Sequence, residues 1–419
     1  MFDRQFIDSL PVYDRSEASE LPLKGMLVLD ITHYIAGPLA SMLLADLGAT
    51  VIKVEAPGGD RFRAYPPHDT SAPEEGAAYL WANRNKLGLE LNLKSEQGQQ
   101  VISRLLTKAD VLIENFAHGV MGRLGFGYEQ VHALNPKLVY CSVSAYGSQG
   151  KFAERPGFDS VVQAESGFVA MNGYADRPGV RTASSVMDIG TAMLASNGIL
   201  AALYARQATG EGRHVEVSLY GSALLMNGYA TMQTLCSGQN MERYANTSPD
   251  SCPTGVFDCQ DASFFLHCGN NEIAKRLFSE VLARPDLAEN PAYQTAAGRL
   301  ADRESIFVIL KEAFATMSWA ELKHALENAR VPAGQVRDLK TALLSSETEQ
   351  LAAVERVPHK TLGWVPNVRT PIFFDGSIGN AASAAPVRGQ DSEAVLRDIA
   401  GFSEEEIQAI VQSGHVRSA

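Results

Sequence analysis

From Met26 to Val143 the chain alternates short, wholly apolar runs with longer amphipathic ones, and no other feature constrains the fold as much. Met26-Leu-Val-Leu-Asp30 is too short for a helix and apolar up to its last residue, the pattern of a parallel strand buried on both faces. Gly37-Pro38 opens a helix whose Leu39, Met42, Leu43 and Leu47 fall on one stripe, and Gly48 supplies its C-terminal stop. Thr50-Val-Ile-Lys-Val-Glu55 reads as the next strand. A helix over 95–108 groups Val101, Ile102, Leu105 and Leu106, and Ala109–Glu114 and Lys137–Val143 read as two further strands. Strands joined through helices need right-handed crossovers, so the expected fold is α/β, a doubly wound, Rossmann-like parallel sheet.

Further on, a long apolar helix over Ile189–Ala208 is broken by Thr209-Gly-Glu-Gly-Arg213 and followed by a strand over His214–Leu219. After about residue 222 the pattern changes to methionines, asparagines, Pro253-Thr-Gly255 and an aromatic strand, Ser263–His267. A helical stretch from Glu272 to about Arg330 and a return strand at Val331-Pro-Ala-Gly334 complete a smaller α+β domain, placed at 223–340 after a first domain at 1–222. From about Val357 the Pro-, Gly- and Ala-rich tail reads as extended connections ending in a helix at Ser403–Gln412.

The whole chain of 419 residues carries a net charge of -12. That argues against binding nucleic acid or an anionic membrane, which takes a basic patch. The N-terminus has no apolar stretch of signal-peptide type, and the run Ala192–Tyr204, interrupted by Ser and Asn, reads as short of a membrane span. Five cysteines form no CxxC pair. Cys252, Cys259, His267 and Cys268 lack zinc spacing, so no metal is expected and the thiols point to a reducing compartment, the cytoplasm.

The strand, helix and second strand ending on Glu55 imitate a dinucleotide-binding unit, in which that acid would hold a ribose. The turn Thr32-His-Tyr-Ile-Ala-Gly-Pro38 has one glycine and a proline without an amide, which argues against an NAD site. Thr32–Ile35, Glu114-Asn-Phe116, Ser144-Ala-Tyr-Gly147 and Asn83-Arg-Asn-Lys86 read as polar turns after strands. Each alone is an ordinary loop; together, with Arg84, Lys86 and Arg123, they form a candidate anion-binding rim. No Walker A, HExxH or GxSxG pattern occurs. Asp188, at the start of the long helix, reads as an N-cap, and the helix dipole there favours its ionised form. Capping and nucleophilic attack are compatible roles.

Leu23–Asp30, Ala36-Gly-Pro38, Leu47–Glu55 and Gly59-Asp-Arg-Phe-Arg63 are similar, in order, to the N-termini of family III CoA-transferases, which include formyl-CoA transferase, carnitine-type CoA-transferases and α-methylacyl-CoA racemase. The resemblance continues through Asn83–Lys86, Leu91–Lys94, Ala109–Phe116, Arg123-Leu-Gly125, Leu134-Asn-Pro136, Ser144–Gly147, Thr209–Gly212 and Val215–Leu219, and more weakly through Gly269-Asn270, Val331–Gly334 and Ala385-Pro386. It implies a large domain built from both chain ends, so that 341–419 returns to it, with the smaller domain inserted. It also implies an interlocked homodimer.

The resemblance makes Asp188 the nucleophile. Its carboxylate would attack an acyl-CoA thioester and pass CoA to a second carboxylic acid through a mixed anhydride and an aspartyl-CoA thioester, with no cofactor beyond the CoA substrate. CoA contacts are implied for Tyr34, Ile35, Asn85, Lys86, Asn115, Phe116, Arg123, Ala145, Tyr146 and Gly147. Amides near Gly37 and in the 145–147 turn would serve the developing oxyanions. Ile35 stands where formyl-CoA transferase has a glutamine, and Ala56 and Leu87 stand where it has arginines. The racemase branch has a histidine in a Gly-His-Asp context; here Pro156-Gly-Phe-Asp159 puts Phe158 there, which cannot move a proton. The glycine-rich loop of formyl-CoA transferase has no counterpart in Asn246–Gly255. A short dicarboxylyl donor such as succinyl-CoA is the expected substrate, with Arg177 or Arg181 able to hold a distal carboxylate. A non-catalytic acyl-CoA-binding protein is the alternative of another class.

Overall fold

The computed structural model describes residues 1–13, 20–375 and 382–417. Strand β1 (Leu27–Asp30) is buried from its second residue on, and helix α1 (Ala36–Asp46) is buried almost all round. Gly48 takes a φ of 101° and turns the chain into β2 (Thr50–Glu55), a conformation an L side chain would strain. Helix α2 (Ala77–Asn83) leads directly into β3 (Lys86–Leu91). Helix α3 (Glu96–Leu106) starts at Ser95, whose hydroxyl accepts the Gly98 amide, and buries the expected stripe of Val101, Ile102, Leu105 and Leu106. Each of these burials stabilises by about 1.5–3 kcal/mol. Then come β4 (Val111–Glu114), β5 (Val139–Ser144), α4 (Asp159–Glu165), α5 (Val186–Thr209), β6 (His214–Ser218), α6 (Leu219–Met226) and α7 (Tyr229–Ser237).

The chain divides into two compact units. One comprises Met1–Phe168, Thr182–Leu235 and Ser346–Ala419; the other comprises Val169–Arg181 and Cys236–Ser345. In the second unit, β7 (Thr254–Asp258), β8 (Ser263–His267) and, after helices α8 (Arg303–Phe314) and α9 (Trp319–Asn328), β9 (Ala333–Gln335) form an antiparallel sheet. Phe257, Phe264, Leu310, Phe314 and Leu322 fill its core. The stretch 169–181 belongs to this unit because the Arg243 guanidinium bonds the carbonyls of Tyr174 and Ala170 at 2.9 and 3.0 Å.

The rest of the chain returns to the first unit as the hairpin β10 (Val354–His359) and β11 (Gly363–Val368), helix α10 (Glu404–Gln412) and β12 (Val416–Arg417). Its seven-stranded sheet runs β12-β3-β2-β1-β4-β5-β6, parallel except for β12, which pairs antiparallel to β3. Strand order reverses about β1, so the crevice beyond the carboxyl ends of β1 and β4 is the topological switch point.

Several expectations need correction. Lys86-Leu-Gly-Leu-Glu-Leu91 is a strand, not the end of a binding turn, and its alternating apolar residues are the signal for it. Gly88 is required because a Cβ there would lie 2.9 Å from Pro386 of the returning tail. That tail holds a β-hairpin where extended connections were expected. The boundaries fall at 235/236 and 345/346 instead of after 222 and 340, because α6 packs against α4 and α5 of the first unit. By length and composition α5 is apolar enough to cross a membrane, contrary to the shorter run read from sequence, and half of its most apolar window is buried inside the unit.

Candidate active site

Helix α5 precedes β6 and runs antiparallel to it, so its first turn stands at the carboxyl edge of the sheet. Asp188 lies in that turn, half-buried, and is not the cap: Ser185 holds the N-cap position. The carboxylate of Asp159 on α4 satisfies the helix start instead, its Oδ2 accepting the amides of Met187 at 2.7 Å and Asp188 at 3.3 Å. Among the described residues the Asp188 carboxylate itself has no hydrogen-bond partner. Burial first, and then the neighbouring Asp159 charge, push Asp188 up to about 7. The helix dipole still favours the ionised form, but burial and the like charge outweigh it. A dipole contributes about 0.3–1 kcal/mol at an exposed helix end, less than removing a carboxylate from water beside a like charge.

The turn after β1 faces the same crevice. Tyr34 has a φ of 64°, rare for a non-glycine residue. It is held there by its amide, which donates to Asp60 Oδ1 at 3.3 Å, and by Asn115, which brackets His33. The Asn115 Oδ1 accepts the His33 amide at 3.0 Å, and its Nδ2 donates to the His33 carbonyl at 2.8 Å. The Tyr34 ring packs edge-on against Phe158 at 6.0 Å, while His33 lies 5.6 Å from Phe116. Strain held by surrounding bonds in this way marks functional sites. Gly37 has no room for a side chain, since a Cβ would come within 2.4 Å of Thr32. Ile35 caps α1 without a side-chain bond and is half-buried.

Phe158 precedes Asp159 at the start of α4 and is 61% exposed. Next to it, Gly157 lets the Ala145-Tyr146 turn approach, a Cβ there standing 2.8 Å from that of Ala145. Tyr146 donates its hydroxyl to Glu165 at 2.7 Å under the Arg155 guanidinium, 4.7 Å above its ring, and Arg155 also bonds Glu165. The Gly147 amide is taken by the Ser144 hydroxyl at 2.9 Å. Arg123 is exposed, with no ion-pair partner among the described residues. The structure therefore gathers Asp188, Tyr34, Ile35, Asn115, Phe116 and Ala145–Gly147 along the carboxyl edge of the sheet.

The turn Asn83–Lys86 does not join them. It precedes a strand and so lies at the opposite edge, where Arg84 and Asn85 bond Asp46 at the far end of α1. Lys86 is buried beneath α1, and its three protons go to Asp30, the Pro38 carbonyl and Asn83, each at 2.8 Å. Burial pushes Lys86 down to about 8. Neither Arg84 nor Lys86 presents charge to a solvent-borne anion in this structure. The ribose-holding acid that Glu55 mimics is likewise engaged, by Arg63 at 2.7 Å. Arg177 and Arg181 are exposed in the second unit, and Arg177 lies 3.8 Å from Asp176. Sequence reasoning missed Asp159 as a partner of Asp188. Its signal was an acid opening a helix next to Phe158, but only the fold aims it at another helix.

Residues 23–392 match the family model described as CoA-transferase family III. Among its relatives, the acetyl-CoA:oxalate CoA-transferase of Acetobacter aceti is 36% identical over 77% of this chain and 82% of its own length. The succinate–glutarate CoA-transferase of Agrobacterium fabrum is 33% identical over 90% of this chain and 96% of its own. The crystal structure of a CAIB/BAIF family protein from Brucella suis aligns with a TM-score of 0.81 and 30% identity, covering 91% of this chain and 100% of that one. A doubly wound sheet with an unpartnered aspartate at its carboxyl edge thus comes with a family match along nearly the whole chain, and the protein belongs to CoA-transferase family III as an enzyme of CoA transfer.

Proposed function

We propose that the enzyme moves CoA from a short dicarboxylyl-CoA such as succinyl-CoA to a second carboxylic acid, with Asp188 as nucleophile. The observation that carries this reading is the half-buried Asp188 carboxylate, free of hydrogen bonds among the described residues. The ionised oxygen attacks the thioester carbonyl, forming a mixed anhydride and expelling CoA thiolate. The thiolate attacks the aspartyl carbonyl of that anhydride, giving an aspartyl-CoA thioester and the first free acid. The acceptor carboxylate attacks this thioester, forming a second anhydride and thiolate. Attack of the thiolate on the acceptor's acyl carbon yields the new acyl-CoA and restores Asp188. Each step exchanges one activated acyl bond for another, so no energy input or cofactor is needed.

Tyr34, Ile35, Asn115, Phe116, Arg123 and the Ala145–Gly147 turn are the CoA contacts in this reading, and Asn85 and Lys86 take structural roles. Phe158, which precedes the Asp159 that bonds the Asp188 amide, supports transfer over racemisation, because it cannot act as an acid or base. The choice of donor follows relatives whose names give succinyl-CoA as substrate, with glutarate, mesaconate or D-citramalate. We also propose a homodimer in the cytoplasm. Tyr204, Leu225, Tyr229, Met232 and Leu235 are each more than half exposed on α5, α6 and α7, an apolar surface suited to a second copy of the chain. The cysteines are all free, as a reducing compartment keeps them. The test is mass spectrometry of enzyme mixed with succinyl-CoA and trapped by hydroxylamine or borohydride. Wild type should carry an adduct at Asp188 and Asp188→Ala should not; an Asp188→Ala variant that still transfers CoA at the wild-type rate refutes the reading.

A further inference from the structure

Asp159 is the first residue of α4 and is 8% exposed. Besides the two amides of α5 that its Oδ2 accepts, its Oδ1 accepts the Gln163 Nε2 at 2.5 Å. Gln163, fully buried, is fixed in turn by the Thr182 amide, which donates to its Oε1 at 3.0 Å. Three N–H donors thus converge on one carboxylate, the acceptor pattern of an ionised acid. Ser185 makes no side-chain cap bond, so a charged group from another helix satisfies amides that a helix normally caps from within its own chain segment.

We propose that Asp159 is the positioning residue for the nucleophile: it fixes the first turn of α5 through the Met187 and Asp188 amides and holds a negative charge against the Asp188 side chain. This rests on Asp188 being the nucleophile. A fixed charge beside a carboxylate that becomes acylated acts in a definite direction. It disfavours the free anion and leaves the neutral anhydride and thioester states untouched, so it shifts the balance toward the covalent intermediates.

Among the described residues, Asp159 is the charge that acts on the Asp188 carboxyl. Of the remaining elements packed on α5, α6 contributes only Tyr220 as a titratable group. On α1 the only charged residue is Asp46, at the far end and paired with Arg84. Strand β5 offers Tyr140 and Cys141, and β6 offers His214 and Glu216, of which His214 is bonded to Ser142. Elsewhere on α4, Glu165 is paired with Arg155 and Tyr146.

The experiment is single-turnover formation of the Asp188 adduct with succinyl-CoA, quenched and measured by mass spectrometry across pH. Asp159→Asn keeps an amide-accepting oxygen and removes the charge. It is expected to move the acid limb of the rate toward lower pH by about one unit and to lower the fraction of enzyme trapped as adduct. Asp159→Ser, which also caps but carries no charge, should move the limb the same way and serves if the asparagine variant does not fold. Asp159→Glu keeps the charge and displaces the oxygens, so it should slow the reaction with the limb unmoved. A folded Asp159→Asn or Asp159→Ser enzyme with the wild-type limb overturns the role of Asp159. A wild type that forms no adduct at all overturns the nucleophile instead, so the two failures are distinguishable.

Discussion

Replacing Asp188 by asparagine should stabilise the protein by an amount that grows as pH rises from about 4 and is complete near pH 7. Burial and the Asp159 charge raise Asp188 from the ordinary 3.8 to about 7 in the folded chain. Between those two values the native state holds a proton that the unfolded chain has released. Stability contributed by this group therefore falls as pH rises through the window and is lost entirely above it. At ~1.4 kcal/mol per pH unit the upper bound is about 4 kcal/mol. Because the side chain is half-buried and water screens part of the effect, about 2 kcal/mol is the working figure. Asparagine has nearly the same shape and cannot ionise. Urea denaturation of wild type and Asp188→Asn at several values between pH 4.5 and 8.5 should give curves that nearly coincide at the acid end and separate toward the alkaline end, the variant being the more stable. A difference independent of pH, or a variant less stable at pH 8.5, would refute the argument that this aspartate ionises at a cost.

Lys86→Met should destabilise by about 3 kcal/mol, the usual scale for removing one partner of a buried ion pair, because it leaves Asp30 short of its 2.8 Å partner; a folded variant that lost only affinity for acyl-CoA would return Lys86 to the binding rim. Gly190→Ala should cost about 1–3 kcal/mol by overpacking, since the new Cβ would stand 2.0 Å from the Met226 sulfur; adding Met226→Ala should recover most of the loss in thermal denaturation, and additive effects would rule out the contact. Arg123→Gln should raise the KM for acyl-CoA about tenfold with kcat little changed, the ~1.5 kcal/mol scale of one charge-assisted hydrogen bond; an unchanged KM in steady-state assays would remove Arg123 from the CoA site.

The parts of the fold that were legible in the sequence are those whose signal is local. The apolar runs at β1 and β2 and the stripe of α3 describe what each segment must bury, and burial is what forms it. β3 was misread because its polar opening, Asn83–Lys86, looks like a ligand loop. In the fold those side chains satisfy one another and Asp46 or Asp30 beneath α1. Arginine and lysine appear identical in sequence whether they face an anion in solvent or a carboxylate in the core. Only the edge of the sheet on which the turn emerges separates the two, and that depends on whether the turn precedes or follows its strand.

The sequence by itself determined the doubly wound sheet and the family, and it singled out Asp188 and Phe158 as candidates, because strand and helix periodicity and ordered motifs lie within single stretches of chain. Tertiary structure decided the electrostatic state of that aspartate. Its helix position alone argued for a stabilised anion; the structure puts Asp159 at the amides where a cap would sit and withdraws Asp188 from water, pushing it up to about 7. A carboxylate's protonation depends on what lies within a few ångströms in space, and these two residues, on separate helices, become neighbours only when α4 packs against α5.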